Sequence, residues 1–368
     1  MWRSIPTPSK LLLLPAIALP LAAAGIHYAS ALPAAYSWSR TLELLGLAVV
    51  DRYFALAALF VLLAAAARRA APGAAVAGRL RQGLSLALAL AVALMLALLS
   101  ARYSPWDYLA LPLVAALLYR TLLRTDFAEA LFGMAATVFV LVVVSYVFTI
   151  FKSQLFTFGV VLDDWLIAGE RALFGEPLYL AVARWASTRP AVVGFSDWAY
   201  FLFFHHIALT ALFLFAQGDR REQWRYVASL SLCYLLGGVS YYLFPAYGPA
   251  FYDPEKFAYL HDSAPFTLSI QQLLADATNA AAAGKLERIE TFAFIACMPS
   301  LHMAHESLML FFARRSLPMS VFSAFFWLSS IVAVLVLGWH YLFDVAGGML
   351  LAALVIGIVW RALPPQRA

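Results

Sequence analysis

The sequence predicts an all-α, polytopic membrane protein of about ten transmembrane helices. Three observations predict it. Hydrophobic residues make up 64% of the 368-residue chain and charged residues only 12%, where soluble domains carry roughly a quarter. Apolar runs of about 20 residues, the length that crosses a bilayer as a helix, recur along the chain. Arginine and lysine are spread unevenly over the alternate connections between those runs, as positive-inside sorting requires. The net charge of +5 therefore reads as basic cytoplasmic loops and not as a nucleic-acid surface. The two cysteines, Cys233 in an apolar run and Cys297 in a connection, give no disulfide framework.

The first run follows Arg3 and Lys10 and stays apolar from Leu11 to Leu32. A signal-peptide core is about 7–15 residues, so this run is read as a span over 11–31. Spans at 42–66, 84–101, 106–123 and 128–150 follow. In segment 151–195, "DDWLIAGERALFGEPLYLAVARWAS" mixes aromatic and aliphatic residues with charge. It predicts amphipathic helices lying in the interface, over 155–186. Spans at 196–216 and 226–244 come next. The connection 245–299 opens with "FPAYGPAFYDP", whose prolines and glycine are expected to exclude helix. Its "TLSIQQLLADATNAAAAGKLERI" predicts a helix, and so long an ordered connection suggests a lid or substrate gate. The last spans are 300–314, 319–338 and 341–360, then a cytoplasmic tail, 361–368. The run at 300–314 is short, with room to extend back through "FAFIACMPS", and Pro299 suits a first helical turn.

Fifteen of the 25 basic residues fall in one set of alternate segments, mostly short loops carrying Arg68, Arg69, Arg120, Arg124, Arg220, Arg221, Arg314 and Arg315. The other ten lie mostly in 151–195 and 245–299. Both termini are therefore expected in the cytoplasm and the two long segments outside. Scarce lysine, abundant arginine and alanine-rich spans suggest a bacterial inner membrane, with the outer face periplasmic.

Polar chemistry gathers at two places on that outer face. "CMPSLHMAHES" puts His302 at the outer end of the eighth span, with His305 and Glu306 roughly on its face. "GWHYLFDVAGG" puts His340 and Asp344 four residues apart, so a helix brings them to one face. There Asp344 can orient one imidazole nitrogen and leave the other basic. A carboxylate at mid-membrane costs about 2.5–3.5 kcal/mol, so a partner is expected. Gly347 and Gly348 permit close helix approach behind it. Two histidines facing each other suit phosphoryl transfer, one attacking and the other handling the alcohol's proton. His305 and Glu306 fit a supporting polar role, and of the adjacent His205 and His206 at most one can face the site. The set could in principle coordinate zinc, but no metal-ligand spacing signature is present.

"PSLHMA" and "HYLFDVAGG" resemble the second and third motifs of the type-2 phosphatidic acid phosphatase superfamily. The Pro-Ser-Leu-His form, with "DDWLIAGERALFGEPLY", "YLFPAYGPAFY" and "FLFFHHIAL", is most similar to the branch containing inositol phosphorylceramide synthase. The resemblance covers 128–360 and implies a six-helix catalytic core, preceded by four extra helices in 1–127. It implies that His340 is the nucleophile forming a phosphohistidine, that Asp344 orients it, and that His302 is the general acid and base, with no metal or cofactor. Tyr247, Gly248, Lys256, Ser300 and His206 are the candidate substrate-binding residues. Two departures stand out. The Lys-x6-Arg-Pro motif of the phosphatases is missing before the second motif, and Val334 occupies the place of an arginine six residues before the nucleophile. Phosphoryl oxygens need positive charge or oriented donors, and the outward candidates are Lys152, Arg171, Lys256, Lys285 and Arg288. The expected activity is transfer of a phosphoryl-headgroup between lipids at the outer leaflet of the bilayer. Hydrolysis of a lipid phosphate or diphosphate, or a non-catalytic lipid transporter or scaffold, are the alternatives. No nucleic-acid partner is expected.

Overall fold

A computed structural model describes residues 160–216, 219–286, 288–289 and 293–364, and before them 35–36, 137, 144, 148–149, 152–153 and 155–158. The five spans expected at 11–31, 42–66, 84–101, 106–123 and 128–150 lie outside these residues, or are touched at isolated positions only. Among the described residues the architecture is helical; the one extended pairing is two residues long, Ala35–Tyr36 beside Arg288–Ile289.

The helices are α1 Asp163–Phe174, α2 Leu178–Ser187, α3 Pro190–Phe201, α4 Phe203–Ala216, α5 Arg220–Leu243, α6 Pro249–Tyr252, α7 Leu260–Ser263, α8 Pro265–Ala282, α9 Leu301–Ala313, α10 Leu317–Val336 and α11 Leu342–Ala362. Three are long and apolar enough to cross a membrane: Arg221–Leu243, Met319–Val336 and Leu342–Ala362. A fourth span results if Pro190–Phe201 and Phe203–Phe215, bent by 42°, cross as one. The chain is thus an integral membrane protein; among the described residues three to four of the five spans expected after residue 195 have the length and apolarity to cross.

The difference centres on α9. It has 13 residues and does not extend backward, because the backbone before it is committed elsewhere. The Cys297 amide donates to the Ala246 carbonyl and the Ser300 amide to the Asp344 carbonyl. Ser300 is the N-cap, its side chain accepting from the Met303 amide, so Pro299 lies before the helix and not in its first turn. α9 is the central helix, packed against α4, α5, α10 and α11. That is why Met303, Ala304, Leu308, Met309 and Ala313 are fully buried.

Proline does not exclude helix from "FPAYGPAFYDP", contrary to expectation. Pro249 takes the first position of α6, where its missing N–H would have no helical partner anyway. The segment expected to be interfacial holds a short 3-10 turn, Leu155–Phe158, then α1 and α2. Trp165, Leu173, Phe174 and Trp185 stand exposed there. The connection 245–299 is tied down at several of its described residues. The Tyr259 hydroxyl donates to the Val336 carbonyl, the Gln271 amide to the Leu337 carbonyl, and Thr267 to Asp197 of α3. It roofs one end of the bundle.

Candidate active site

Direction along the helices sorts the charged residues. His302 begins α9, and His340 lies in the turn between α10 and α11, at one end of the bundle. Arg314, Arg315 and Arg361 lie at the opposite ends of the same helices, and Arg221 and Arg225 at the start of α5.

The two motifs meet through backbone. The Ser300 amide donates to the Asp344 carbonyl at 2.9 Å. A Cβ built on Gly348 would lie 2.2 Å from the Ser300 carbonyl oxygen, so only glycine admits this approach of α11 to the start of α9. His302 and His340 lie within electrostatic reach of each other, and both are buried. The His302 ring is held between Tyr200 and Phe203, each with its centroid 4.4 Å away. Its Nε2 is 3.4 Å from the Ser330 hydroxyl. Tyr200 also stacks on Trp339 at 5.0 Å, so one ring bridges His302 and the residue before His340.

His340 Nδ1 is 3.5 Å from Asp344 Oδ2, within ion-pair range but without a formed hydrogen bond. That Asp344 oxygen accepts from the Tyr341 amide at 2.8 Å, and the carboxylate lies within reach of the Cys297 thiol. Asp344 therefore caps its own helix and faces His340 at once. The place where the phosphatases carry arginine is the fully buried Val334, whose carbonyl accepts from the Trp339 and His340 amides.

Two carboxylates that the sequence reading left unassigned hold this end together. Asp163 and Glu170 stand on the buried stripe of α1 with Leu166 and Ile167. Asp163 accepts from the Tyr247 and Gly248 amides, both at 2.9 Å, and from the Tyr341 hydroxyl at 3.0 Å. Glu170 accepts from the Leu178 amide at 2.8 Å and the Leu342 amide at 2.7 Å. Burial pushes both carboxyls above their ordinary range, against the pull of those hydrogen bonds. The helical period was the signal that could have found them: charged residues seven apart, on the face carrying the aliphatics.

The remaining candidates fall apart in role. The Gly248 amide, expected to face phosphate, is committed to Asp163; its φ of +97° and its contact with the Trp339 carbonyl fit it to that turn. Tyr247 stacks on Phe156 at 4.1 Å. Ser300 serves as the cap. Lys256 is exposed on the Pro254–Phe257 turn. His206 is fully buried, Nδ1 2.9 Å from Glu306 Oε2 and Nε2 2.9 Å from Ser323 Oγ, so neither nitrogen is left for substrate. His305 Nδ1 lies 2.7 Å from the Leu301 carbonyl, which the ring can reach only as a donor. Both belong to a polar layer beneath His302. Among the described residues no cluster of three or more histidine, cysteine or acidic side chains could hold a metal ion.

The sequence model of the family described as the PAP2 superfamily matches residues 164–358, more than half of the chain. No curated protein and no solved structure is significantly similar to the chain.

Proposed function

The chain belongs to the PAP2 superfamily, an integral membrane protein of lipid phosphatase and phosphotransferase type, and from that premise we propose that it transfers a phosphoryl-headgroup between lipids through a phosphohistidine. The observation that carries the reading is the meeting of His302 with the His340–Asp344 pair at one end of the bundle, locked by Ser300 and Gly348. His340 Nε2 attacks phosphorus while the bond to the donor's alkoxide breaks, and His302 gives that oxygen its proton. His302, now neutral, takes the proton of the acceptor hydroxyl. The acceptor oxygen attacks phosphorus, the P–N bond breaks and His340 is restored. Asp344 holds the tautomer and offsets the positive charge that develops on the ring. The acceptor reaches this centre from the outer leaflet.

Aromatic packing of His302 by Tyr200 and Phe203, under an ordered roof, supports a lipid alcohol as acceptor over bulk water. Purified protein in nanodiscs, given a panel of lipid phosphates with and without a lipid alcohol, tests this. Headgroup exchange that depends on the alcohol is the expected result. Release of inorganic phosphate alone would establish the hydrolytic alternative, and no turnover of either kind would favour a non-catalytic role.

A further inference from the structure

Resting on that reading, one question is what neutralises the phosphate. The site end holds three buried carboxylates, Asp163, Glu170 and Asp344, which repel an anion. A transferring phosphoryl group needs positive charge beside it, and the position six residues before His340 holds Val334 where an arginine would serve. The outward cations Arg171, Lys256 and Lys285 are exposed. Arg184 is paired with Glu176, and Arg189 lies over the Trp185 ring.

Lys152 differs from all of them. It is 8% exposed, and its ammonium lies 5.2 Å from the Phe148 ring centroid and 5.1 Å from that of Tyr241, at the site end of α5. Ring faces hold a cation without neutralising it. Its charge reaches Cys297, three residues before Ser300, and Cys297 is in reach of both Asp163 and Asp344. Burial and those carboxylates push the Cys297 thiol up, so it stays protonated and supplies no anion. Among the described residues no carboxylate pairs with this amine; burial pulls its pKa down to about 7, and an anion arriving beside it would hold it charged.

We propose that Lys152, which precedes the family-matched region, binds the phosphate of the substrate next to His340. The test uses full-length protein in nanodiscs with orthovanadate as the probe. Orthovanadate should raise the thermal unfolding midpoint of the wild type and of Lys152→Arg, and leave that of Lys152→Met unmoved. KM for a lipid phosphate should rise about tenfold to a hundredfold in Lys152→Met, the loss expected for a charge-assisted hydrogen bond, with partial recovery in Lys152→Arg. If Lys152→Met does not fold, Lys152→Gln replaces it against Lys152→Arg. A wild type that orthovanadate does not protect, or an uncharged variant protected as well as the wild type, overturns the inference while lipid turnover by the wild type keeps the proposed function. Protection that depends on Lys152 without any lipid turnover would do the reverse.

Discussion

The two ends of the bundle treat their carboxylates in opposite ways. At the basic end, Glu222 is paired with Arg225 at 3.0 Å and with Arg314, and Asp219 with Arg315 at 2.8 Å. Arg225 also donates to the Leu363 carbonyl and lies over the Trp360 ring, fastening the end of α11 to α5. At the site end, Asp163 and Glu170 are met by backbone amides and a phenol, and no guanidinium comes near in the described residues. Amides fix position without cancelling charge. The basic end is built to hold, and the site end to hold while leaving its histidines chemically available.

The comparison can be broken most severely at His340. His340→Ala should abolish turnover, with an unfolding midpoint close to that of the wild type; residual phosphotransfer above background would remove the covalent route. His302→Ala should lose about 10²–10⁴ in rate, the usual worth of an acid–base group, read as kcat in the same assay. Asp163→Ala strands the buried Gly248 amide, the half-buried Tyr247 amide and the Tyr341 hydroxyl, with about 1–3 kcal/mol at stake for a buried group left unpaired. It should lower both stability and activity. Glu222→Ala should lower stability alone, by about 3–5 kcal/mol, because it leaves the buried Arg225 uncompensated. Equal damage to kcat from Glu222→Ala and Asp163→Ala would erase the distinction between the ends.

The smallest effect is one of pH. Burial raises the Asp219 carboxyl, but the Glu222 amide and Arg315 outweigh it and hold it below the ordinary range, whereas Asp163 is held above. A depressed carboxyl stabilises the fold above its unfolded pKa, and that support is lost as pH falls through the folded value. A raised one has the opposite sign, its contribution present in acid and lost as pH rises through the folded value. The stability gap between wild type and Asp219→Asn should therefore shrink in acid, while wild type should gain on Asp163→Asn. Parallel pH profiles of the two melting differences would contradict the assignment.

Much of this was legible in the sequence, and for local reasons. "PSLH" opens an apolar run and starts a helix, and His340 and Asp344 do meet, though not on one helix: His340 lies in the turn ahead of α11, whose first turn Asp344 caps. Gly347 and Gly348 side by side point to a close approach, since small residues on an apolar helix let a neighbouring backbone come near. The failures are non-local. Nothing near Asp163 tells that its acceptors would be filled by amides 84 and 85 residues away, which is also why the Gly248 amide read as free. His206 next to His205 gives no hint that Glu306 and Ser323 would take both its nitrogens. The shortness of α9 follows from backbone bonds to Ala246 and Asp344, which hydropathy does not register.

The turn carrying His340 has a consequence for the order of events. The Trp339 and His340 amides are tied to the Val334 carbonyl, and Tyr341 is tied to Asp344 through its amide and to Asp163 through its hydroxyl. The imidazole is mounted between two fixed neighbours and has no backbone arm on which to swing. On the proposed chemistry a phosphoryl group taken up there is not carried to a second compartment, so donor and acceptor must occupy the same place in succession. The steady-state signature is ping-pong: double-reciprocal plots at several acceptor concentrations form parallel lines, and each substrate at excess competes with the other.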